Sequence, residues 1–115
     1  MGSSFLAACI QLNSKRDIEE NLPDILRLLD EAIGDGAKFI SLPECTGMME
    51  PDPELLRKKA PNQLEDPVLA ALRQKAAAGS VWILIGSLAT QTLDGKIANR
   101  SYLIDSNGTL AATYD

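Results

Sequence analysis

The sequence predicts an α/β layered fold, and three observations carry that prediction. Short apolar runs alternate with segments whose apolar residues recur at helical spacing, the pattern of strands interleaved with helices. Two Asp-Pro pairs, Asp52-Pro53 and Asp66-Pro67, supply helix starts, and Gly34, Gly36 and Gly79 supply stops. The run Val81-Trp-Ile-Leu-Ile85 is apolar at every position, as befits a strand in the middle of a sheet with both faces covered.

Taken in order, Phe5 to Leu12 is a short apolar run that reads as a buried strand. Ile18, Leu22, Ile25, Leu26, Leu29, Ala32 and Ile33 then fall on one face of a helix. Asp17, Glu19 and Glu20 lie near its start, where acids suit the helix dipole. Pro23 must occupy the first turn or two, or kink the helix. Lys38 to Leu42 is the second strand, and Cys45 to Pro53 a loop rich in Gly, Pro and Met. A short helix follows from Pro53 through Ala60, and a second from Pro67 to Gly79 with Val68, Leu69, Leu72 and Ala76 inward. Val81 to Gly86 is the third strand. Lys96 to Ile104 and Thr109 to Tyr114 form a hairpin around Asn107-Gly108, and Trp82 is expected in the core. Crossovers between the first strands should be right-handed. No repeat or linker divides residues 1–115, which read as one domain or one piece of a domain.

Composition narrows the function classes. Of the 115 residues, 45% are hydrophobic and 23% charged, ordinary for a soluble globular chain. The net charge of −5 argues against a nucleic-acid partner, because phosphate binding needs clustered cations. The one dense basic cluster, Arg57-Lys58-Lys59, reads as a solvated helix face balanced by Glu54 and Glu65. No apolar run is long enough to span a bilayer, and the start of the chain lacks the pattern of a secretory signal. The expected setting is therefore cytoplasmic, without a membrane partner. Cys9 and Cys45 lack metal-ligand spacing, and the absence of histidine removes Ser-His and Cys-His pairs from the chemistry these residues could perform alone.

The chemistry-bearing candidate is Glu44. It closes Lys38-Phe-Ile-Ser-Leu-Pro-Glu44, at the carboxyl end of a strand, where α/β sheets hold ligands. Pro43 restricts its own backbone and that of Leu42, which helps to fix the carboxylate's direction. In a water-poor setting such a carboxylate would suit proton abstraction near neutral pH. By composition alone the ordinary loop glutamate is the favoured reading, since perturbed carboxylates are a minority. Cys45 would point away from Glu44 if the backbone stayed extended, and Cys9 should pack as a small hydrophobe, so neither suits the role of nucleophile. Lys38 opens the strand that Glu44 closes, roughly 20 Å away by strand rise. Met48 and Met49 could line a pocket or simply pack. Asn99 and Tyr102 read as ladder-face packing.

The ordered blocks resemble the N-terminal portion of the nitrilase, or carbon–nitrogen hydrolase, family. They are Gln11-Leu-Asn13, Gly36-Ala-Lys-Phe-Ile-Ser-Leu-Pro-Glu44, Val81-Trp-Ile-Leu-Ile-Gly86, Ile97-Ala-Asn-Arg-Ser-Tyr-Leu-Ile104, Asn107-Gly108 and Ala112-Thr-Tyr-Asp115. Leu-Pro-Glu alone is weak, and the series of blocks is far more specific. The resemblance implies an α-β-β-α sandwich, of which residues 1–115 are the N-terminal part. It also implies a homo-oligomer joined through its helix layers and a Glu-Lys-Cys triad without metal or organic cofactor. Glu44 matches the catalytic glutamate. The lysine would follow Asp115 directly and the cysteine would come later, so these residues alone should not turn over substrate. The implied substrate is a small-molecule amide or nitrile, hydrolysed through a thioester. The blocks look closer to amidases of small linear amides, such as ω-amides of dicarboxylic acids or deaminated glutathione. The alternative is a catalytically inactive α/β module for interaction or ligand binding. A receiver-like domain is disfavoured because no acid follows the first strand before Asp17, and a dinucleotide-binding domain because no Gly-x-Gly-x-x-Gly does.

Overall fold

The computed structural model describes residues 4–115. Its elements run β1 (Leu6–Cys9), α1 (Ile18–Gly34), β2 (Ala37–Leu42), α2 (Pro53–Lys59), α3 (Pro67–Gly79), β3 (Trp82–Gln91), β4 (Ile97–Ile104) and β5 (Leu110–Tyr114). The strands form a five-stranded sheet in the order β1-β2-β3-β4-β5. β1, β2 and β3 pair in parallel, and β4 and β5 are added antiparallel. Two successive crossovers to the next strand in the same direction, both of one hand, place their helices on one face. α1 and α3 accordingly touch each other and share one core with the sheet.

That core is Ile25 and Leu29 of α1, Val68, Leu69, Leu72 and Ala76 of α3, and Ile40, Leu42, Ile83, Ile85, Tyr102 and Ile104 of the sheet. The alternate residues of the same strands lie on the other face, which no described helix covers. There Phe39, Leu84 and Leu103 are half-buried and Trp82 is 40% exposed. The described residues thus form one helix layer on one sheet.

The helix boundaries follow the capping chemistry. Asp52 Oδ1 accepts from the Glu54 and Leu55 amides, and Asp66 Oδ1 from those of Val68 and Leu69, each with proline at the first helical position. α1 begins after Asp17 without a side-chain cap, and Pro23 sits in its second turn. Gly36, at φ 92°, makes the turn into β2 that a side chain would resist.

Several expectations are corrected. β1 is an exposed edge strand of four residues, not a buried strand reaching Leu12, because only β2 flanks it. Cys9 is exposed rather than packed. Trp82 stands on the uncovered face rather than in the core. β3 does not stop at Gly86 but runs on to Gln91, past a bulge, and turns back into β4 through Asp94-Gly95. Asp94-Gly95 is itself a hairpin signal in the sequence.

Candidate active site

Glu44 leaves the carboxyl end of β2 as expected, and its side chain is exposed. The water-poor surroundings expected of it are not formed by the described residues. The turn that carries it is nevertheless tightly specified. The Cys45 amide donates to Ser87 Oγ at 3.0 Å, and the Thr46 amide to the Ser87 carbonyl at 3.1 Å. The buried Thr46 hydroxyl donates back to the Pro43 carbonyl at 2.5 Å. Gly86 lies directly beneath this turn, since a Cβ there would stand 2.5 Å from the Pro43 carbonyl carbon and 2.7 Å from the Glu44 nitrogen.

Cys45 takes φ 54°, so the extended backbone that would have turned it away from Glu44 is not present. A left-handed residue three positions after the end of β2 turns the chain toward β3 instead.

The loop beyond is pinned from below by α1. Asn21 is buried and uses its whole amide. Nδ2 donates to the carbonyls of Lys15 at 2.9 Å and Gly47 at 2.8 Å, and Oδ1 accepts from the Lys15 amide at 2.7 Å. The Met49 amide donates to the Lys15 carbonyl at 2.8 Å. Met48 packs inward and Met49 is 54% exposed, so of the two only Met49 is free to face a ligand.

Glu50 makes the second anchor. Its side chain is fully buried and accepts from Arg16 Nη2 at 2.6 Å and Nε at 3.1 Å, from Lys59 Nζ at 2.6 Å, and from the Asp52 amide at 3.2 Å. The Arg16 guanidinium first, then the Lys59 ammonium, hold its carboxyl down at about 2 against the opposing effect of burial. Lys59 also reaches Asp17 at 2.8 Å, which lowers the Asp17 carboxyl. Lys59 therefore belongs to this ion-pair group rather than to a solvated face balanced by Glu54 and Glu65.

Sequence reasoning singled out Glu44 as a candidate and placed it at the end of β2, but it did not single out Glu50 or Asn21. Lys59 lies nine residues from Glu50 but Arg16 lies 34 away, and only the fold brings both cations onto one carboxylate. Asn21 did carry a signal, as a polar residue on the apolar stripe of α1 one step from Leu22 and Ile25. Tyr102 is fully buried, with its hydroxyl 2.8 Å from Thr90 Oγ1, and Asn99 is exposed; neither side chain hydrogen-bonds to Glu44's turn. A cleft of about 720 Å³ lies elsewhere, lined by Leu64, Leu93 and Arg100 among others, and does not include Glu44.

Comparison with known proteins places this arrangement. The family model described as carbon–nitrogen hydrolase matches residues 6–115, and the chain belongs to that family. Among curated relatives, a deaminated glutathione amidase of Synechocystis is 30% identical over 112 residues, spanning 96% of this chain and 40% of its own length. The nitrilase and fragile histidine triad fusion protein of Drosophila melanogaster is 29% identical over 104 residues, 90% of this chain and 22% of the relative. The chain thus spans two fifths or less of the length of these relatives. Among solved structures, the C. elegans NitFhit protein superposes with a TM-score of 0.82 at 22% identity, covering 94% of this chain and 26% of that one. An amidase from Nesterenkonia gives a TM-score of 0.77 at 22% identity, covering 94% and 41%. These likenesses establish the nitrilase fold.

Proposed function

We propose that this chain is the base-bearing part of an amidase acting on small linear amides, with Glu44 as general base. The observation that carries the reading is the seat of Glu44. A carboxylate stands at the carboxyl end of a central-sheet strand, on a turn fixed by hydrogen bonds from Cys45 and Thr46. In this reading Glu44 takes the proton of a cysteine thiol outside residues 1–115. The sulfur attacks the amide carbon, a lysine ammonium steadies the oxyanion, and Glu44 returns the proton to the nitrogen, so that the C–N bond breaks and ammonia leaves; water, deprotonated by Glu44, then cleaves the thioester to release the acid and restore the thiol. The rest of the enzyme would also close over Glu44 and supply the dry surroundings that the described residues leave open.

The amidase subclass is supported by the similarity to a Synechocystis deaminated glutathione amidase and to a Nesterenkonia amidase whose mutants were solved in complex with acrylamide and butyramide. A cytoplasmic homo-oligomer is part of the same proposal. The solvent exposure of Glu44 favours a second reading, a catalytically inactive interaction module. Glu44→Gln in the hydrolase carrying this segment separates the two. The expected outcome is a loss of kcat on the order of 10²-fold or more with the fold intact. Undiminished amide hydrolysis would remove Glu44 from the chemistry.

A further inference from the structure

We infer that the β-bulge at Gly86-Ser87 is the device that aims Glu44, with Ser87 as a positioning residue. The inference rests on the reading of Glu44 as the base, and it concerns residues that bear no chemistry of their own.

The bulge is explicit in the register of β3 against β4. Ile85 pairs with Tyr102 and Leu88 with Arg100, so two residues, Gly86 and Ser87, stand opposite Ser101 alone. The extra residue re-aims the local backbone. It turns the Gly86 carbonyl to the Ser101 hydroxyl, which donates at 2.6 Å. It also presents both the hydroxyl and the carbonyl of Ser87 to the next strand's exit, where they receive the amides of Cys45 and Thr46. Ser87 is buried, and removing its hydroxyl takes the acceptor from the Cys45 amide alone, while the Thr46 amide keeps the Ser87 carbonyl.

Gly86 completes the seat by what it lacks. Its φ lies outside the left-handed range, so backbone freedom does not explain a glycine here. Space does. Any Cβ would press into backbone atoms of Pro43 and Glu44 at 2.5–2.7 Å, and backbone cannot swing aside as a side-chain tip can. The Pro43–Glu44 peptide therefore rests against β3, and the carboxylate leaves the sheet in a direction set by three fixed points: Gly86 beneath, Ser87 on Cys45, and Thr46 closing back onto Pro43.

A role in sheet integrity alone predicts something different from a role in aiming Glu44. Ser87→Ala is expected to speed amide exchange at Cys45 by on the order of tenfold, as loss of one hydrogen bond does, while the β2–β3 ladder amides keep their rates. In the hydrolase it should lower kcat by roughly 10- to 100-fold at nearly constant KM, the signature of a misplaced catalytic group. Unchanged Cys45 exchange, or a loss confined to thermal stability with kcat intact, overturns the proposal. Gly86→Ala should act in the same direction and more strongly; if it does not fold, Ser87→Ala still decides. Glu44→Gln is measured alongside. Should that variant hydrolyse amides undiminished, the assignment of the base fails, while Cys45 exchange still judges the seat.

Discussion

Glu50 shows how much a single buried carboxylate can organise. It joins the entry of α1 through Arg16, the end of α2 through Lys59 and the loop after Glu44 through its own backbone. Its carboxyl sits at about 2 when folded against an ordinary 4.5, so its contribution is fully present above pH 4.5. That contribution is lost as pH falls from about 4.5 toward 2, and the lowered Asp17 carboxyl on the same lysine acts in the same direction. The melting temperature should therefore drop through that window. Glu50→Gln should melt lower at pH 7 and show a flatter acid limb; an acid limb parallel to the parent's would refute the assignment. Glu44 was legible in the sequence because a local signal, a strand closed by Pro43, marks it. Glu50 was not, because its partners are brought together only by the fold. The same holds for Ser87, which reads as one more polar residue after an apolar run until β4 shows two residues facing one.

Among the elements, the helices were the most legible, because their starts are written in short-range chemistry. Asp66-Pro67 yields the expected cap, and the Asp66 carboxyl is raised by burial while the amides of Leu69 and Val68 pull it back. Asp66→Ala should cost about 1–2 kcal/mol in urea denaturation, the usual worth of a good N-cap. The β4–β5 turn was equally legible. Asp105 Oδ1 accepts from the amides of Asn107 and Thr109, and Gly108 turns at φ 82°. A Cβ at Gly108 would lie 2.6 Å from the Arg73 carbonyl oxygen, and Arg73 Nε donates to the Gly108 carbonyl at 2.8 Å, so this turn also docks the hairpin on α3. Gly108→Ala combines a disfavoured φ with that clash and should destabilise by about 1–3 kcal/mol on the same measurement. Strand lengths were less legible. Ser87, Thr90 and Gln91 interrupt the apolar pattern of β3, yet backbone pairing with Ile97–Arg100 carries the strand through them. β1 shows the reverse, since its apolar residues would suit a buried strand and its place at the sheet edge exposes them.

At the scale of the whole molecule, the parallel start and antiparallel finish of the sheet were readable from the order of segments, whereas its one-sidedness followed only from the resemblance to a two-sheet sandwich and not from the residue pattern. Whether a face is covered depends on where helices land, and here α1 and α3 land together. The uncovered face, the bare edge at β1 and the exposed Tyr114 on β5 are surfaces that seek partners. Residues 1–115 alone should therefore self-associate in solution, and a stable 12.4 kDa monomer in dynamic light scattering would contradict this. Trp82 adds a consequence of its own. It is the single tryptophan of the sequence and lies on that bare face, 40% exposed. Its indole is thus a built-in optical gauge: fluorescence near the red end of its range in dilute, separated chains, moving blue as anything dry settles against the sheet.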